Sequence, residues 1–341
     1  MDNKYLGNAR NEAEISLALN LAHKVFAKKS PNKMLALPNK SLNNKNVVVF
    51  KIENKVMATC FIHNRLLYFN REKIPCSFLI YICVDKSIRG MGYSKDLMNF
   101  AIDLCKKNGK KACFVIARKA VDFYYTKFSF FGFSNYPKIL IKKELHKKHK
   151  KIKFLKLKKC LIDQIIPIYN NTYISLSGAF YRDFNEWEFI TKKAELLGVK
   201  LCIIRNENNK TTGYVCFKEN NIYEIALKKD INYNEVLNNM FRIMRVDNLI
   251  LHFGINHPIA NNLEDFDSTF SFRKCWYGGH MMRINDYKTF LNINDKLNIN
   301  RLDKMFNSLD DKNKFKLLVN QKNKSESFIN EIYNIPLMDQ V

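Results

Sequence analysis

A loop with two glycines, Arg89-Gly90-Met91-Gly92-Tyr93-Ser94, has the composition of a phosphate-binding site. It follows an apolar segment that we predict to be a strand, and it opens a segment whose apolar residues have helical spacing. Unpaired amides and the positive end of the dipole at a helix start attract anions. Gly90 and Gly92 let a phosphate approach the backbone, and Arg89 adds a positive charge. The loop therefore predicts a phosphate site, with an ordinary strand-to-helix turn as the alternative.

The loop differs from the common nucleotide-binding motifs. It lacks the Gly-Lys-Ser/Thr ending of a Walker A loop, and Lys95 stands where a dinucleotide-binding Gly-x-Gly-x-x-Gly sequence has its third glycine. Further along the chain comes an aromatic element, Tyr124-Tyr125-Thr126-Lys127-Phe128-Ser129-Phe130. A tyrosine next to a reacting group can donate a proton, whereas a tyrosine in an aromatic helix otherwise belongs to the core. The residues alone leave both interpretations open.

The apolar pattern around these residues predicts strand pairs followed by alternating strands and helices. The predicted elements are a helix over 12–28, strand hairpins over 47–63 and 65–84, a helix over 93–107, a strand over 112–117, a short helix over 119–127 and a strand over 130–141. Gly109 is expected to cap the second helix. This order is typical of an α+β or mixed α/β domain.

A second passage with a similar order of elements follows the basic segment 142–159, which we interpret as a domain junction. Helices are predicted over 161–173, 184–195 and 233–244, and strands over 201–205, 212–218, 222–227, 248–253 and 279–284. We therefore expect an α/β fold with mixed sheets used twice in tandem, as domains 1–145 and 146–285. A polar extension of helical pattern, 286–341, follows them. Residues 200–285 contain no Arg-Gly-x-Gly loop, so the second domain is not expected to bind a cofactor.

The loop and the aromatic element together resemble two motifs of the GNAT superfamily of acyl-CoA-dependent N-acetyltransferases. The family pattern Arg/Gln-x-x-Gly-x-Gly/Ala is met except for Ser94 in its last place, and Leu-Tyr-x-Lys-x-Gly-Phe is met with Ser129 in place of glycine. The resemblance implies that residues 1–145 bind acetyl-CoA, with its pyrophosphate on the loop and its pantetheine along Leu79–Val84. It also implies direct acetyl transfer to a primary amine of a small molecule or of a lysine side chain.

The resemblance assigns roles to individual residues. Tyr125 matches the family's proton donor to the departing thiolate, with Tyr124 as the alternative, and no nucleophilic cysteine is needed. A backbone amide near Cys83 or Val84 is expected to polarise the thioester carbonyl. The general base stays open among Asp85, Glu72 and a water molecule. The residues expected to bind acetyl-CoA are Ile82, Cys83, Val84, Arg89, Gly90, Met91, Gly92, Tyr93 and Ser94.

The second half resembles the second domain of Eis-type (enhanced intracellular survival) acetyltransferases. The similar residues are Ile168-Tyr169-Asn170, the segment 177–182, Trp187, and a Met-x-Arg-Ile-x-Asp element at 281–286. In those proteins only the first of two GNAT-fold domains catalyses, and a sterol-carrier-like domain follows. Residues 286–341 are too few for such a domain, so we interpret them as an extension or a reduced remnant. A homo-oligomer stays open.

Eis-type relatives acetylate polycationic amines, which require local negative charge. The second half offers two groups of carboxylates, Asp183 with Glu186 and Glu188, and Glu264 with Asp265 and Asp267. We expect at least one group to face the cleft between the domains and attract a cationic amine. Solvated helix or loop surface is the alternative for each group.

The net charge of +25 raises a second function class, a tandem GNAT-fold module that holds acyl-CoA or nucleic acid without turnover. Lysine is frequent throughout the chain, however, and no nucleic-acid-binding motif surrounds the basic segment, so nucleic acid is not the expected partner.

Cysteine usage and the sequence termini predict a cytoplasmic location. The nine cysteines include no Cys-x-x-Cys pair and are interpreted as reduced structural thiols. His146 and His149 are interpreted as part of a basic linker, so no metal is expected. The chain starts without a signal-like segment and contains no apolar run of the ~20 residues that span a membrane, so no membrane partner is expected.

Overall fold

A computed structural model describes residues 4–26, 41–117, 119–132, 135–143, 152–254, 256–274, 279–293 and 308–319. The described strands are β1 (Lys4–Asn8), β2 (Val47–Ile52), β3 (Lys55–Phe69), β4 (Glu72–Val84), β5 (Ala112–Ala117), β6 (Phe131–Gly132), β7 (Asn135–Lys142), β8 (Lys153–Lys156), β9 (Lys200–Arg205), β10 (Thr211–Lys218), β11 (Asn221–Leu227), β12 (Asn248–Leu251), β13 (Ser268–Lys274) and β14 (Gly279–Ile284). The described helices are α1 (Glu12–Phe26), α2 (Tyr93–Lys107), α3 (Asp122–Thr126), α4 (Ile162–Tyr173), α5 (Phe184–Leu197), α6 (Tyr233–Met244), α7 (Tyr287–Asn292) and α8 (Asp311–Val319).

Within these residues the strands form two mixed sheets, which confirms the predicted tandem α/β fold. The first sheet has the order β1-β2-β3-β4-β5-β14-β6, and the second has the order β13-β7-β12-β11-β10-β9-β8. None of the described helices is long and apolar enough to cross a membrane. The predicted linker histidines His146 and His149 lie outside the described residues, as does Cys275.

The two sheets exchange strands. β14 lies between β5 and β6 in the first sheet, where it pairs antiparallel with all six residues of β5. β7 lies between β12 and β13 in the second sheet. The order of the strands in the sheets therefore differs from their order along the chain, and the boundaries expected at 145 and 285 stay a prediction. The apolar pattern identifies a strand, but it does not identify the strand's partner.

The structure differs from the sequence prediction at β3. The two hairpins predicted over 47–63 and 65–84 share this one continuous strand. His63 and Arg65, on either side of the expected gap between the hairpins, both have buried side chains. Glu186 of α5 lies between them, with its Oε1 3.0 Å from His63 Nε2 and its Oε2 3.5 Å from Arg65 Nε. The polar residues stay inside the strand because the second half of the chain supplies their partner.

The segment 177–182 joins the two halves through backbone and side-chain contacts. Tyr68 N–H donates to the carbonyl of Ala179 (2.8 Å), and Tyr181 N–H donates to the carbonyl of Leu66 (2.9 Å). The ring of Phe180 is fully buried in the core of the first sheet, 5.1 Å from the ring of Phe78. A side chain of the second half thus completes the core of the first.

Part of the extension 286–341 also packs on the first sheet. Phe315 and Leu318 of α8 are buried in the same core as Phe180, and the rings of Phe315 and Phe131 are 5.4 Å apart. The hydroxyl of Ser129 donates to Asp311 Oδ2 at 2.8 Å. The described part of the extension therefore stabilises the first sheet.

We expect Phe180→Ala to lower the free energy of unfolding by about 3–5 kcal/mol, because it removes a buried ring and leaves a cavity. Phe270→Ala is the matched control: it removes the same atoms from a ring that is 46% exposed, and about 1 kcal/mol or less is expected. Denaturant titration of both variants measures the difference. Equal effects would show that Phe180 does not join the two halves.

Candidate active site

The first sheet opens between β4 and β5. These parallel strands pair at Cys76–Ala112, Ser77–Cys113 and Phe78–Phe114, and the pairing ends there although β4 continues to Val84. A cavity of about 760 Å³ lies at this divergence and is lined by β4 from Leu79 onward, the end of β5, the start of α2 and the region of α3. The opening exposes strand backbone to a ligand, as the resemblance implies for pantetheine.

An irregularity in β4 shapes the wall of this cavity. Thr59 pairs with Cys83 and Phe61 pairs with Ile80, so β4 has one residue more than β3 between these pairs. Tyr81 in this bulge has φ +48°, a left-handed value that is rare for a residue other than glycine. Bulges redirect side chains and backbone groups, and they are frequent next to active sites. The bulge lies within the Leu79–Val84 segment that the sequence assigned to pantetheine.

The predicted phosphate loop has the local geometry that its glycines suggested. Gly90 and Gly92 have φ values of +87° and +86°, and no heavy atom lies within 4 Å of a Cβ built on either. Gly92 is the N-cap of α2, and no side chain caps this helix end. The first amides of α2 are therefore left for an anion. Arg89 Nε donates to the carbonyl of Val84 (3.2 Å), which holds its guanidinium beside the loop.

The cavity brings together most of the residues predicted from the sequence. Its lining includes Ile82, Cys83, Val84, Arg89, Gly90, Gly92, Tyr93, Ser94 and Tyr125. Met91 does not line the cavity and is 62% exposed at the tip of the loop. Its role in binding stays a prediction.

Both candidate tyrosines of α3 line the cavity. Burial raises the pKa of Tyr125 to about 12, and Cys60 and Tyr124 add to the rise. Burial also raises the pKa of Tyr124, where the nearby Ser94 hydroxyl opposes the rise. Each phenol is therefore protonated at neutral pH, as a proton donor must be.

Ser129, which replaces the family's glycine after these tyrosines, has φ +56°. Glycine adopts this left-handed conformation without a steric penalty, and serine does not. The position therefore needs a glycine-like backbone, and the hydrogen bond from its hydroxyl to Asp311 partly offsets the strain.

Cys83 lines the cavity as a protonated thiol. Burial raises its pKa to about 12, and the Arg89 charge opposes that rise only in part. A thiol with so high a pKa is a poor nucleophile, because the thiolate is the reactive form. The protonated Cys83 thiol is therefore compatible with direct transfer of the acetyl group from acetyl-CoA to the amine.

The two carboxylates named as possible bases are poorly suited to that role. Asp85 accepts hydrogen bonds from the amide and hydroxyl of Ser87 and pairs with Lys24 at 2.9 Å, and these contacts lower its pKa to about 2. Glu72 begins β4 and lines a different, smaller cavity near Lys111. Of the three alternatives, a water molecule is the one compatible with both observations.

Five of the six carboxylates in the two acidic groups of the second half contact other residues of the chain, and the sixth, Glu264, is exposed. Asp183 caps α5 by accepting from the Glu186 amide, Glu186 lies against His63 and Arg65, and Glu188 pairs with Lys159. Asp265 accepts from the side chain of Asn234, and Asp267 pairs with Lys142 at 2.9 Å. These contacts give no support to an acidic acceptor patch.

Several lining residues were missed by the sequence reasoning. They are Val25, Phe26, Ile88, Ile116, Ala117, Val121 and Phe123. Exposure is the signal for two of them, since Ile116 near the end of β5 is 37% exposed and Phe123 near the start of α3 is 61% exposed, both high for apolar side chains. An alternating strand pattern does not show which end of β5 faces a cavity.

The sequence of residues 8–132 matches the family model of the acetyltransferase (GNAT) domain. This stretch contains the loop, α3 and the whole of the cavity wall described above. No curated protein matches the chain.

Solved structures with a similar fold cover most of the chain. Eis1 from Mycobacterium abscessus is 14% identical over 85% of this chain and 73% of its own, with a TM-score of 0.63. A probable N-acyltransferase from Enterococcus faecalis V583 is 13% identical over 85% of this chain and 74% of its own, with a TM-score of 0.65. A GCN5-related N-acetyltransferase from Kribbella flavida is 12% identical over 85% and 73%, with a TM-score of 0.61. The predicted GNAT resemblance and tandem fold are thus confirmed: residues 8–132 match an acetyltransferase (GNAT) domain, and the chain has a fold similar to that of Eis1.

Proposed function

We propose that this protein is an acyl-CoA-dependent N-acetyltransferase that moves an acetyl group directly to a primary amine. One observation carries the proposal: a single cavity joins the open edge of β4, the uncapped start of α2 and the phenol of Tyr125. These are a backbone edge for a pantetheine arm, an anion site for a pyrophosphate and a proton donor for a departing thiolate. Acyl transfer with an acyl-CoA co-substrate is the activity typical of the GNAT domain.

The chain's own groups account for each part of the transfer. The backbone of β4 near Cys83 and Val84 would donate a hydrogen bond to the thioester oxygen and so favour attack at the carbonyl carbon. The neutral amine forms the new C–N bond as the C–S bond breaks. Tyr125 gives its proton to the departing sulfur, and the amine's extra proton leaves to solvent, because Asp85 is a weak base.

The rival class, a module that holds acyl-CoA without turnover, rests on the net charge alone. An assay of thiol release with acetyl-CoA and a panel of primary amines separates the two. Amine-dependent thiol release supports the enzyme. Tight acetyl-CoA binding with no release above the no-amine rate for any amine favours the module.

The second sheet is proposed to act as a wall of the acceptor site or as an assembly surface. The acceptor is left at the level of a primary amine, because five of the six carboxylates expected to select a polycation contact other residues of the chain.

Gly92→Ala is expected to weaken acetyl-CoA binding about tenfold or more, because alanine at φ +86° displaces the amides that hold the pyrophosphate. Gly109→Ala is the matched control, since Gly109 has φ +71° and equally open surroundings but lies at the other end of α2. Calorimetry with acetyl-CoA measures both. We expect the two variants to lose similar stability, but only Gly92→Ala to lose affinity for acetyl-CoA. Equal acetyl-CoA affinities in the two variants would overturn the assignment of the loop.

Arg89→Ala should likewise weaken acetyl-CoA binding by about tenfold, because it removes a charged partner of the phosphates. Lys86→Ala removes one positive charge from the same turn without touching the cavity, and its affinity should stay within about twofold. If both variants lose affinity equally, general charge rather than a contact of Arg89 attracts the ligand.

Tyr125→Phe should lower kcat by about 10²-fold and leave acetyl-CoA affinity nearly intact, because a proton donor acts only in the transition state. Tyr124→Phe, the neighbouring phenol of the same helix, should change kcat far less. The raised pKa of Tyr125, about 12, keeps the acid form populated, so kcat should show no falling limb from this group below about pH 11. A larger effect at Tyr124 would transfer the role to that residue.

Cys83→Ala is expected to leave kcat within about threefold of the parent, because a thiol with a pKa of about 12 is not the nucleophile. The amine-dependent assay gives kcat, and mass spectrometry after mixing with acetyl-CoA alone detects any acetyl-enzyme. Loss of activity together with an acetyl group on Cys83 would contradict direct transfer.

A further inference from the structure

The second sheet repeats the divergence of the first but fills it. β11 pairs in parallel with β12 only at Asn221–Ile250 and Ile222–Leu251, although β11 continues to Leu227. The buried imidazole of His257 occupies the gap, with Nε2 3.1 Å from the carbonyl oxygen of Ile225. Because Nδ1 accepts from the amide of Ile259 (3.2 Å), the proton is on Nε2 and is donated to β11. The edge of β11 that corresponds to the pantetheine edge of β4 therefore already has a hydrogen bond from His257 to the carbonyl of Ile225.

A separate cavity of about 1070 Å³ lies beside the end of β11. Its walls are one face of α4, the turn 205–211 between β9 and β10, and the segment 227–233 that leads into α6. That last segment occupies the place in the second half that the glycine loop occupies in the first, between a strand and a helix. Here the helix start is closed, because the side chain of Asn232 caps α6 by accepting from the Asn234 amide. Any anion in this cavity must be held by side chains.

The charged residues that line this cavity are all positive, although Glu207 and Asp230 belong to the same wall segments without lining it. Arg205, Lys210, Lys228 and Lys229 line it, and its described lining contains no carboxylate. Among the described residues none of these four cations forms an ion pair, although the chain pairs Arg182, Lys111 and other cations elsewhere. Like charges around one cavity repel one another, and an anionic ligand would relieve that repulsion.

Arg205 provides a second, independent indication of a ligand. Its side chain is half-buried in the cavity wall, and its Nε is buried without a hydrogen-bond acceptor in the described part of the chain. A buried N–H that lacks an acceptor costs free energy, and more so on a charged group. A phosphate oxygen would satisfy it, because guanidinium N–H groups match phosphate geometry.

The rest of the lining suits a small organic molecule. Ile168, Leu227 and Tyr233 are buried and form an apolar floor, and the side chains of Gln164 and Asn171 add amide groups. Pockets that combine an apolar floor with a few polar groups are typical of small-molecule sites. A nucleic acid strand or an acidic protein would instead need an extended basic surface.

We propose that this cavity binds a small organic di- or triphosphate, such as a nucleoside triphosphate. Its phosphates would lie among Arg205, Lys228 and Lys229, and its apolar or aromatic part would lie on Ile168, Leu227 and Tyr233. The site is separate from the acetyl-CoA cavity and does not depend on the function proposed for that cavity.

Calorimetry with ATP tests the proposal on the full chain without added metal. We expect saturable binding to one site, weakened about tenfold or more in the double variant Lys228→Gln/Lys229→Gln, because two phosphate contacts are lost. The matched control Lys55→Gln/Lys192→Gln removes the same charge from exposed lysines outside the cavity and should stay within about twofold. Arg205→Gln should weaken binding as well, and pyrophosphate should bind more weakly than ATP.

Reciprocal controls separate this site from the first. Gly92→Ala should leave ATP affinity unchanged, and the double lysine variant should leave acetyl-CoA affinity unchanged. The proposal is overturned if ATP does not saturate the protein below about 1 mM, if both double variants lose affinity equally, if Gly92→Ala abolishes ATP binding, or if RNA binds where ATP does not. None of these outcomes bears on amine-dependent thiol release, so failure here leaves the acetyltransferase proposal intact.

Discussion

The candidate active site depends on which strands form hydrogen bonds with β4 and β5. β4 is held along almost its whole length by β3, and β5 is held on its far edge by all six residues of β14. Because each strand is anchored on its outer edge, the two can separate after Phe78 and Phe114 without loosening the sheet. In the sequence, β14 comes after all the strands of the second sheet. The strand exchange that joins the halves therefore also keeps the cleft open.

Buried polar groups fix how the halves meet. Glu186 enters the first half between His63 and Arg65, while Arg182 forms two hydrogen bonds with Glu224, at 2.7 and 2.8 Å, inside the second half. Such pairs add little net stability, but a packing that separated them would bury unpaired charge at a cost of several kcal/mol. Phe180, whose neighbours Ala179 and Tyr181 hydrogen-bond to β3, lies close in the sequence to Arg182 and Glu186. Apolar burial thus drives the association, and the charges determine its register.

Each half contains a pair of parallel strands that diverge, β4 with β5 and β11 with β12, but the space beside the divergence differs. In the first, the diverging edge of β4 faces a cavity beside an uncapped helix start. In the second, His257 bonds the corresponding edge of β11, and burial lowers the pKa of His257 to about 3, so the imidazole stays neutral at physiological pH. Asn232 caps the helix that follows. The cavity of the second half lies beside α4. Cationic side chains line it, whereas the cavity of the first half has the free amides of a helix start.

The sequence by itself determined the local parts of this protein. The glycines of the loop 89–94, the strand before it and the helix after it depend on backbone conformation over a few residues, and Gly90 and Gly92 have the positive φ that their types suggested. Tyr125 was predicted from a short motif through its resemblance to the family, and the structure places it in the cavity wall. Only the tertiary structure decided the partners of β7 and β14, and the continuity of β3 through His63, whose partner comes 123 residues later. It also placed Met91 outside the cavity and Phe123 in its wall. The physical reason is that local pattern encodes conformation and apolar faces, whereas pairing across long separations is chosen by the packing of the whole chain.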